Sequence, residues 1–380
     1  MEFPYLLMTP GPVRVPNEVL AALSEPMIHH RTPAFEKTLA EVLAKLKKIY
    51  ATEEPVFIHT STGSGAMESA LVNTLSPGDK VLALVSGKFG ERWADIARAY
   101  GMQVSEIKIP WGEAASLEAV KAALSAEKFK AVLCQACETS TATQHPIKEI
   151  AQLVCQYSET LFLVDAITAL GVMELKTDEW GLDVVVGGSQ KSLMLPTGLS
   201  FISLSKKAQK ALEHSKTPRY YWDLRKELKA NGTGQTFFSS SVSLIRALDQ
   251  ALTLILKNGL EANITEFARL SRGLRAGGES LGFKTFSKAP SPSVTAFLVP
   301  GMMDSEKLRD LLESKYNLTL MGGQDQLRGK ILRVGTLGYV RAEEIRETLR
   351  RLALGLQEMG HPCDATLALS AFEKAYKGHS

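Results

Sequence analysis

LDVVVGGSQKSLMLPTGLSFISLS, residues 182–205, sets two apolar runs on either side of a turn rich in glycine and hydroxyl residues, and that turn carries a single charge, Lys191. Elsewhere lysines keep charged company on helix faces, as in AEVLAKLKKIY (40–50), where a solvated ammonium costs almost nothing. A lysine pressed among apolar residues has its charged form disfavoured, so its pKa falls and a free amine becomes available as nucleophile or base. The flanking runs belong to a longer rhythm. VLALVSG, MQVSEIKI, AVLCQACE, TLFLVDAI, LDVVVGG and LSFISLS alternate with helical patterns such as SLEAVKAALSAEK and IKEIAQLVCQYSE. Near-continuous apolar strands separated by helices predict an α/β fold with a mostly parallel sheet sandwiched by helices.

Further along, LDQALTLILKNGLEANITEFARLSRGL (248–274) reads as one long helical pattern. It is followed by the strand VTAFLVP, the helix SEKLRDLLESKY, the strand ILRVGTLG and a helix in which Ile345, Leu349, Leu352 and Leu356 recur at helical spacing. The predicted division is an N-terminal arm (1–16), a large domain (17–256) and a smaller C-terminal α/β domain (257–380), with PGPVRVP and SKAPSPS as extended connectors.

With 45% hydrophobic and 22% charged residues among 380, the chain has ordinary globular composition and enough length for roughly two domains. A net charge of +3 spread along the chain predicts neither a nucleic-acid surface nor an acidic tail, so the expected partners are small molecules or copies of itself. The opening MEFPYLLMTPGPVRVP is unlike a secretory signal, and no apolar run approaches the ~18 residues of a membrane span, which predicts a cytoplasmic protein. Four irregularly spaced cysteines do not make a disulfide framework. Cys134 and Cys137 form a CxxC, but no second pair follows, so they are expected to be buried thiols on a strand and no metal is expected.

In open parallel sheets the functional residues lie beyond the carboxyl ends of the strands. Three features follow apolar runs here. Thr62, Gly63, Ser64 and Gly65 lead into a helical pattern whose first amides would converge on an anion, although a plain capped helix start would read the same way. The segment lacks the GK[ST] of a nucleotide loop, and Glu68 stands where a dinucleotide fingerprint needs a small residue. Asp165 ends a strand, where an unpaired carboxylate is costly and calls for a cationic partner such as a ring nitrogen. Lys191 is the third. A phosphate cradle, a buried acid and a desolvated lysine suit a cofactor with a phosphate, a basic ring nitrogen and an aldehyde, which describes pyridoxal phosphate.

The chain resembles the class V aminotransferases of pyridoxal phosphate fold type I, the alanine-glyoxylate, serine-glyoxylate and serine-pyruvate kind. The likeness rests on TPGP, PMIHHRTPAF, TGSGAMESAL, SGKFGERW, ETSTAT, VDAITALG, GSQKSLMLPTGL and LRVGTLG, in the family's order over nearly the whole chain. The resemblance implies that Lys191 attaches covalently to the cofactor's aldehyde and that Asp165 pairs with its ring nitrogen. It implies that Ser64, Gly65 and the following Ala66 hold the phosphate together with Gln190, that Phe89 lies over the ring, and that Ser140 approaches the ring substituents. Relatives often carry histidine at the position of Ala66 and an indole at that of Phe89, so the pocket differs in detail. In FFSSSVSLI the family places a phosphate contact reaching into a neighbouring subunit, here Ser239 with Thr236, which implies a homodimer with shared sites.

Arg333 in LRVGTLG matches the family's binder of the substrate α-carboxylate, a task suited to a planar fork that donates two parallel hydrogen bonds. His29, His30 and Arg31 either face the substrate entrance or order an early loop, and both readings stay open. The implied reaction is ping-pong transfer of an amino group from alanine or serine to glyoxylate or pyruvate, with freed Lys191 as the base at the α-carbon. Aspartate and aminophosphonate enzymes share the scaffold, and so would a pyridoxal phosphate lyase or a non-catalytic protein that binds partners. A cysteine desulfurase would need a reactive cysteine that LMGGQDQLRGKILRVG does not contain.

Overall fold

The computed structural model describes residues 5–378. Seven strands form the central sheet: β1 (Val56–His59), β2 (Lys80–Val85), β3 (Gln103–Lys108), β4 (Ala131–Gln135), β5 (Leu161–Asp165), β6 (Val184–Gly188) and β7 (Ser200–Leu204), in the spatial order β1-β7-β6-β5-β4-β2-β3. Strands β2 to β6 pair in parallel, while β7 runs antiparallel to both β6 and β1. Reversal of β7 alone leaves the carboxyl ends of β1, β2, β4, β5 and β6 on one edge, and the turns that follow them meet there.

The apolar runs form strands because both faces of the sheet are covered. Leu82, Leu84, Val132, Phe162, Val164 and Val185 join one buried cluster, whereas Val81, Ala83, Leu133, Leu163, Val184 and Val186 join a second. Successive side chains on a strand point to opposite faces, so two clusters with alternating membership are what a doubly covered sheet produces. Helix α1 (Pro33–Tyr50) brings Phe35, Leu39, Val42 and Leu46 to the first cluster. Helices α2 (Gly63–Thr74) and α3 (Lys88–Ala99) bring Met67, Leu71, Trp93 and Ala97 to the second.

The single helix expected over 248–274 is two, α4 (Val242–Leu256) and α5 (Leu260–Ser280). The break falls at Gly259, whose φ of +87° no helix accommodates. A second sheet joins Lys284–Thr285, Val294–Leu298, Ile331–Gly335 and Met321–Gly322 in that order, with α6 (Ser305–Tyr316), α7 (Ala342–Glu358) and α8 (Ala365–Lys377) beside it. The N-terminal segment is not a free connector: Leu6 and Leu7 pair in parallel with Leu318 and Thr319, and Gly335 N donates to Met8 O at 2.8 Å. The arm is thereby carried on the second sheet across the edge of the first.

Cys134 lies on β4 and Cys137 on a separate two-residue strand with Glu138, so the CxxC straddles two strands instead of alternating along one. Both thiols are buried and unpaired. Among the described residues no helix is long and apolar enough to cross a membrane, and no group of three or more His, Cys, Asp or Glu residues could hold a metal ion.

Candidate active site

Beyond β6 the chain turns through Ser189, Gln190 and Lys191 before doubling back into β7. Lys191 is mostly buried, and its Nζ donates to Pro10 O at 2.6 Å. Desolvation pushes the ammonium down to about 8; the Asp165 charge opposes this shift and Arg333 adds to it. Asp165, at the end of β5, is 5% exposed. Its Oδ1 accepts from Ile167 N at 2.8 Å, and burial nonetheless pushes the carboxyl up to about 6. The amine and the acid thus sit on neighbouring strands of one edge, each held away from water and each shifted toward its neutral form.

Helix α2 starts after β1 at Thr62, which is extended and makes no side-chain cap bond; Gly65 N and Ala66 N donate to Thr62 O at 2.9 and 3.3 Å, which leaves the amides of Gly63 and Ser64 to face an anion. Gly63 packs closely there: a Cβ would stand 2.5 Å from Ile167 Cδ1, so any larger residue would have to push that side chain aside. A Cβ at Gly65 would stand 2.8 Å from Ser61 Oγ and 2.9 Å from Trp222 Cη2. Ala66 is fully buried on the inner face of the helix. Gln190 lies on the same side of Gly188 as this helix start: a Cβ at Gly188 would stand 3.2 Å from Gln190 Oε1 and 3.8 Å from Gly63 Cα. Gln190 Oε1 and Ser192 Oγ are buried without hydrogen-bond partners. A buried amide left unsatisfied beside an uncapped helix start is a cradle shaped for an anion, since Gln can present either end of its amide.

Phe89 is on the first turn of α3, after β2. The segment is held by Glu138, a fully buried carboxylate that accepts from Phe89 N (3.1 Å), Gly90 N (3.0 Å), Gln135 Nε2 (2.9 Å) and Ser140 Oγ (2.5 Å). Burial raises the Glu138 carboxyl, and these bonds pull it back. Ser140 Oγ in turn accepts from Lys88 N at 3.1 Å. Phe89 and Ser140 are therefore positioned by one acid that sequence reasoning misses, although it opens the ETSTAT motif.

Arg333 enters from the second sheet, 7% exposed. Its Nε donates to Gly322 O at 2.9 Å and its Nη1 to Thr139 O at 3.1 Å. Desolvation pushes the guanidinium down to about 10, with Glu138 opposing. A buried cation held by two carbonyls and, among the described residues, by no carboxylate is poised for an external one.

Arg92 is a second residue that sequence reasoning misses. It sits one turn after Phe89 on the same face of α3, donates to Ser64 Oγ at 3.2 Å, and its guanidinium carbon lies 4.8 Å from the Phe89 ring centre. The i,i+3 spacing to Phe89 in KFGER is the available signal.

Thr236 and Ser239 are not brought to the Lys191 cluster. Thr236 Oγ1 bonds Phe238 O and Ser240 Oγ, and both residues line a separate cleft with His59 and Thr60 near the end of β1. His29 and His30 stack at 4.5 Å on an exposed loop, Arg31 N donates to His29 Nδ1, and Arg31 Nη1 reaches Gln235 at 2.9 Å. The bonds found there order the loop.

A mostly parallel sheet whose edge gathers a buried lysine, a buried acid and a candidate anion cradle is the arrangement of a pyridoxal phosphate enzyme of fold type I. The chain belongs to the class-V aminotransferases, whose family model matches residues 7–347. Its relatives include the soluble hydrogenase 42 kDa subunit of Anabaena cylindrica, 38% identical over 95% of both chains. The L-aspartate--glyoxylate aminotransferase of Paracoccus denitrificans is 32% identical over 98% of this chain and 96% of its own. The crystal structure of alanine--glyoxylate aminotransferase from Nostoc sp. superposes with a TM-score of 0.90 at 31% identity, covering 94% of this chain and 96% of the other. Family and fold together imply pyridoxal phosphate as the cofactor, and the uncapped helix start, the unpartnered Gln190 amide, Asp165 and Lys191 are chemically suited to it.

Proposed function

We propose that the protein transfers the amino group of a small amino acid, alanine or serine, to glyoxylate or pyruvate in two ping-pong half-reactions. The observation that carries this reading is Arg333, a buried guanidinium without a carboxylate partner on the same edge as a desolvated lysine. When bound, pyridoxal phosphate supplies an electron sink for the bonding pair released at the amino acid's α-carbon. Arg333 binds the α-carboxylate and turns the α-hydrogen toward Lys191. Lys191 holds the cofactor between turnovers, and its Nζ, once freed, takes the α-proton and returns it. Asp165 keeps a proton on the ring nitrogen. Ser64, Gly65, Ala66 and Gln190 hold the phosphate, Phe89 backs the ring, Ser140 meets its substituents, and the arm at Pro10 keeps water from the amine.

Both the Paracoccus and the Nostoc relatives carry glyoxylate in their names, which supports that acceptor. A small donor is supported by the count of buried arginines. Arg333 and Arg351 are the two among the described residues, and Arg351 is committed to the Tyr316 and Asn317 carbonyls. A second carboxylate on the donor finds no other fork as buried as Arg333, since Arg92 on the same edge is half-buried and turned to Ser64. We further propose a cytoplasmic homodimer in which Thr236 and Ser239 complete the neighbouring subunit's phosphate site. The exposed rings of Tyr220 and Tyr221 beside Phe238 support such an interface. Single-turnover absorbance changes of the loaded protein with a panel of amino acids test the assignment. Alanine or serine is expected to convert the bound cofactor fastest, and fastest conversion by aspartate would overturn it.

A further inference from the structure

A phosphate monoester brings a charge of about −1.5 to −2 at neutral pH. The helix start of α2 offers roughly half a positive charge, while Ser64, Gly65 and Gln190 are neutral. If the site works as proposed, Lys191 is consumed by the aldehyde and Arg333 by the substrate's carboxylate, so neither neutralises the phosphate. Roughly one to one and a half negative charges are left to balance in a half-desolvated cradle.

We infer that Arg92 is a further ligand of the cofactor phosphate, donating from the guanidinium edge that its bond to Ser64 leaves open. The inference rests on the proposed transaminase site. Its geometry is independent of that reading. Arg92 Nη1 stands 3.2 Å from Ser64 Oγ, the hydroxyl at the cradle, and the guanidinium packs against Phe89 at 4.8 Å, which pre-orients the fork. No carboxylate pairs with Arg92 among the described residues, unlike Lys88 and Arg98 on the same helix, which pair with Glu91, Asp325, Asp95 and Glu106. A half-buried arginine that avoids the ion pairs available on its own helix and points at an uncapped helix start is placed for an anion that arrives from outside. Its charge also reaches Asp165 and Lys191, so it belongs to the electrostatics of this edge.

The test compares two ligands that differ only in the phosphate. Cofactor-free wild type, Arg92→Gln and Arg92→Lys are titrated with pyridoxal phosphate and with pyridoxal, following quenching of tryptophan fluorescence; Trp222 lies against Gly65. Arg92→Gln is expected to weaken pyridoxal phosphate binding by about tenfold or more, the loss of one charge-assisted contact, and to weaken pyridoxal binding far less, by no more than the change its charge makes at Lys191 and Asp165. Arg92→Lys, which keeps the charge, is expected to recover most of that loss. Equal weakening for both ligands, or none for the phosphate ester, would overturn the assignment while wild type still binds. Failure of wild type to bind either ligand would sink the reading of the whole site instead. Thermal melts of the cofactor-free variants separate these outcomes from misfolding.

Discussion

Lys191 Nζ donates to Pro10 O at 2.6 Å, so the lysine proposed to hold the cofactor is itself held by the N-terminal arm. Gly11 stands directly behind this contact at φ +116°, and a Cβ there would lie 2.4 Å from Lys191 Cδ and 2.5 Å from Nζ. An alanine at φ +116° carries backbone strain on the order of 1–3 kcal/mol, and its Cβ cannot be accommodated unless the lysine side chain shifts, so Gly11→Ala displaces the amine. The expected outcome is a folded protein, by circular dichroism, with turnover reduced by about a hundredfold. Wild-type turnover in Gly11→Ala would show that the arm does not set the amine's position.

Asp165 illustrates a site group that weakens the fold it serves. Its carboxyl rises from 3.8 to about 6 on folding, chiefly by desolvation, so the folded chain binds the extra proton between those values. Stability therefore falls as pH climbs through that window, and the ionised acid costs on the order of 3 kcal/mol at pH 7. Cofactor-free Asp165→Asn is expected to melt a few degrees above wild type at pH 7, with the gap closing toward pH 4, while losing transaminase activity. A lower melting temperature for the variant at pH 7 would contradict this.

The legible part of the molecule is the part built from local pattern. β-Branched runs such as Val184–Val186 declare buried strands wherever they occur, and Asp165 and Lys191 stand out because charge directly after such a run is costly. The antiparallel sense of β7, the short partner strands of the second sheet and the break at Gly259 depend on pairings or backbone angles that no spacing encodes. Glu138 is hidden for a related reason. Its role comes from amides in the first turn of α3, 48 and 49 positions earlier in the chain, and only the fold brings Gly90 and Phe89 to it. Pro10 reaches Lys191 across 181 positions.

Arg333 separates binding from chemistry. Its fork is fixed by the Gly322 and Thr139 carbonyls, which leaves the outer edge for two parallel bonds to a carboxylate. Arg333→Lys keeps a cation but not the fork, at a loss of about 1.5–3 kcal/mol in binding. The expected result is a KM for alanine raised at least about tenfold with a smaller change in kcat. Steady-state kinetics decide it, and an unchanged KM would remove Arg333 from the substrate site.

Lys191 itself carries a pH signature. Attachment of the cofactor requires the neutral amine, and desolvation places the folded ammonium at about 8 against 10.5 in water. The rate at which the cofactor-free protein gains its visible absorbance on mixing with pyridoxal phosphate should therefore rise with pH and level off above about 8. Neighbouring charges give the midpoint a sign in each variant. The Asp165 charge holds the ammonium up, so Asp165→Asn should move the midpoint lower; Arg333 pushes it down, so Arg333→Gln should move it higher. A midpoint near 10 that neither substitution shifts would mean that Lys191 meets bulk water, and the desolvated amine on which transamination depends would be absent.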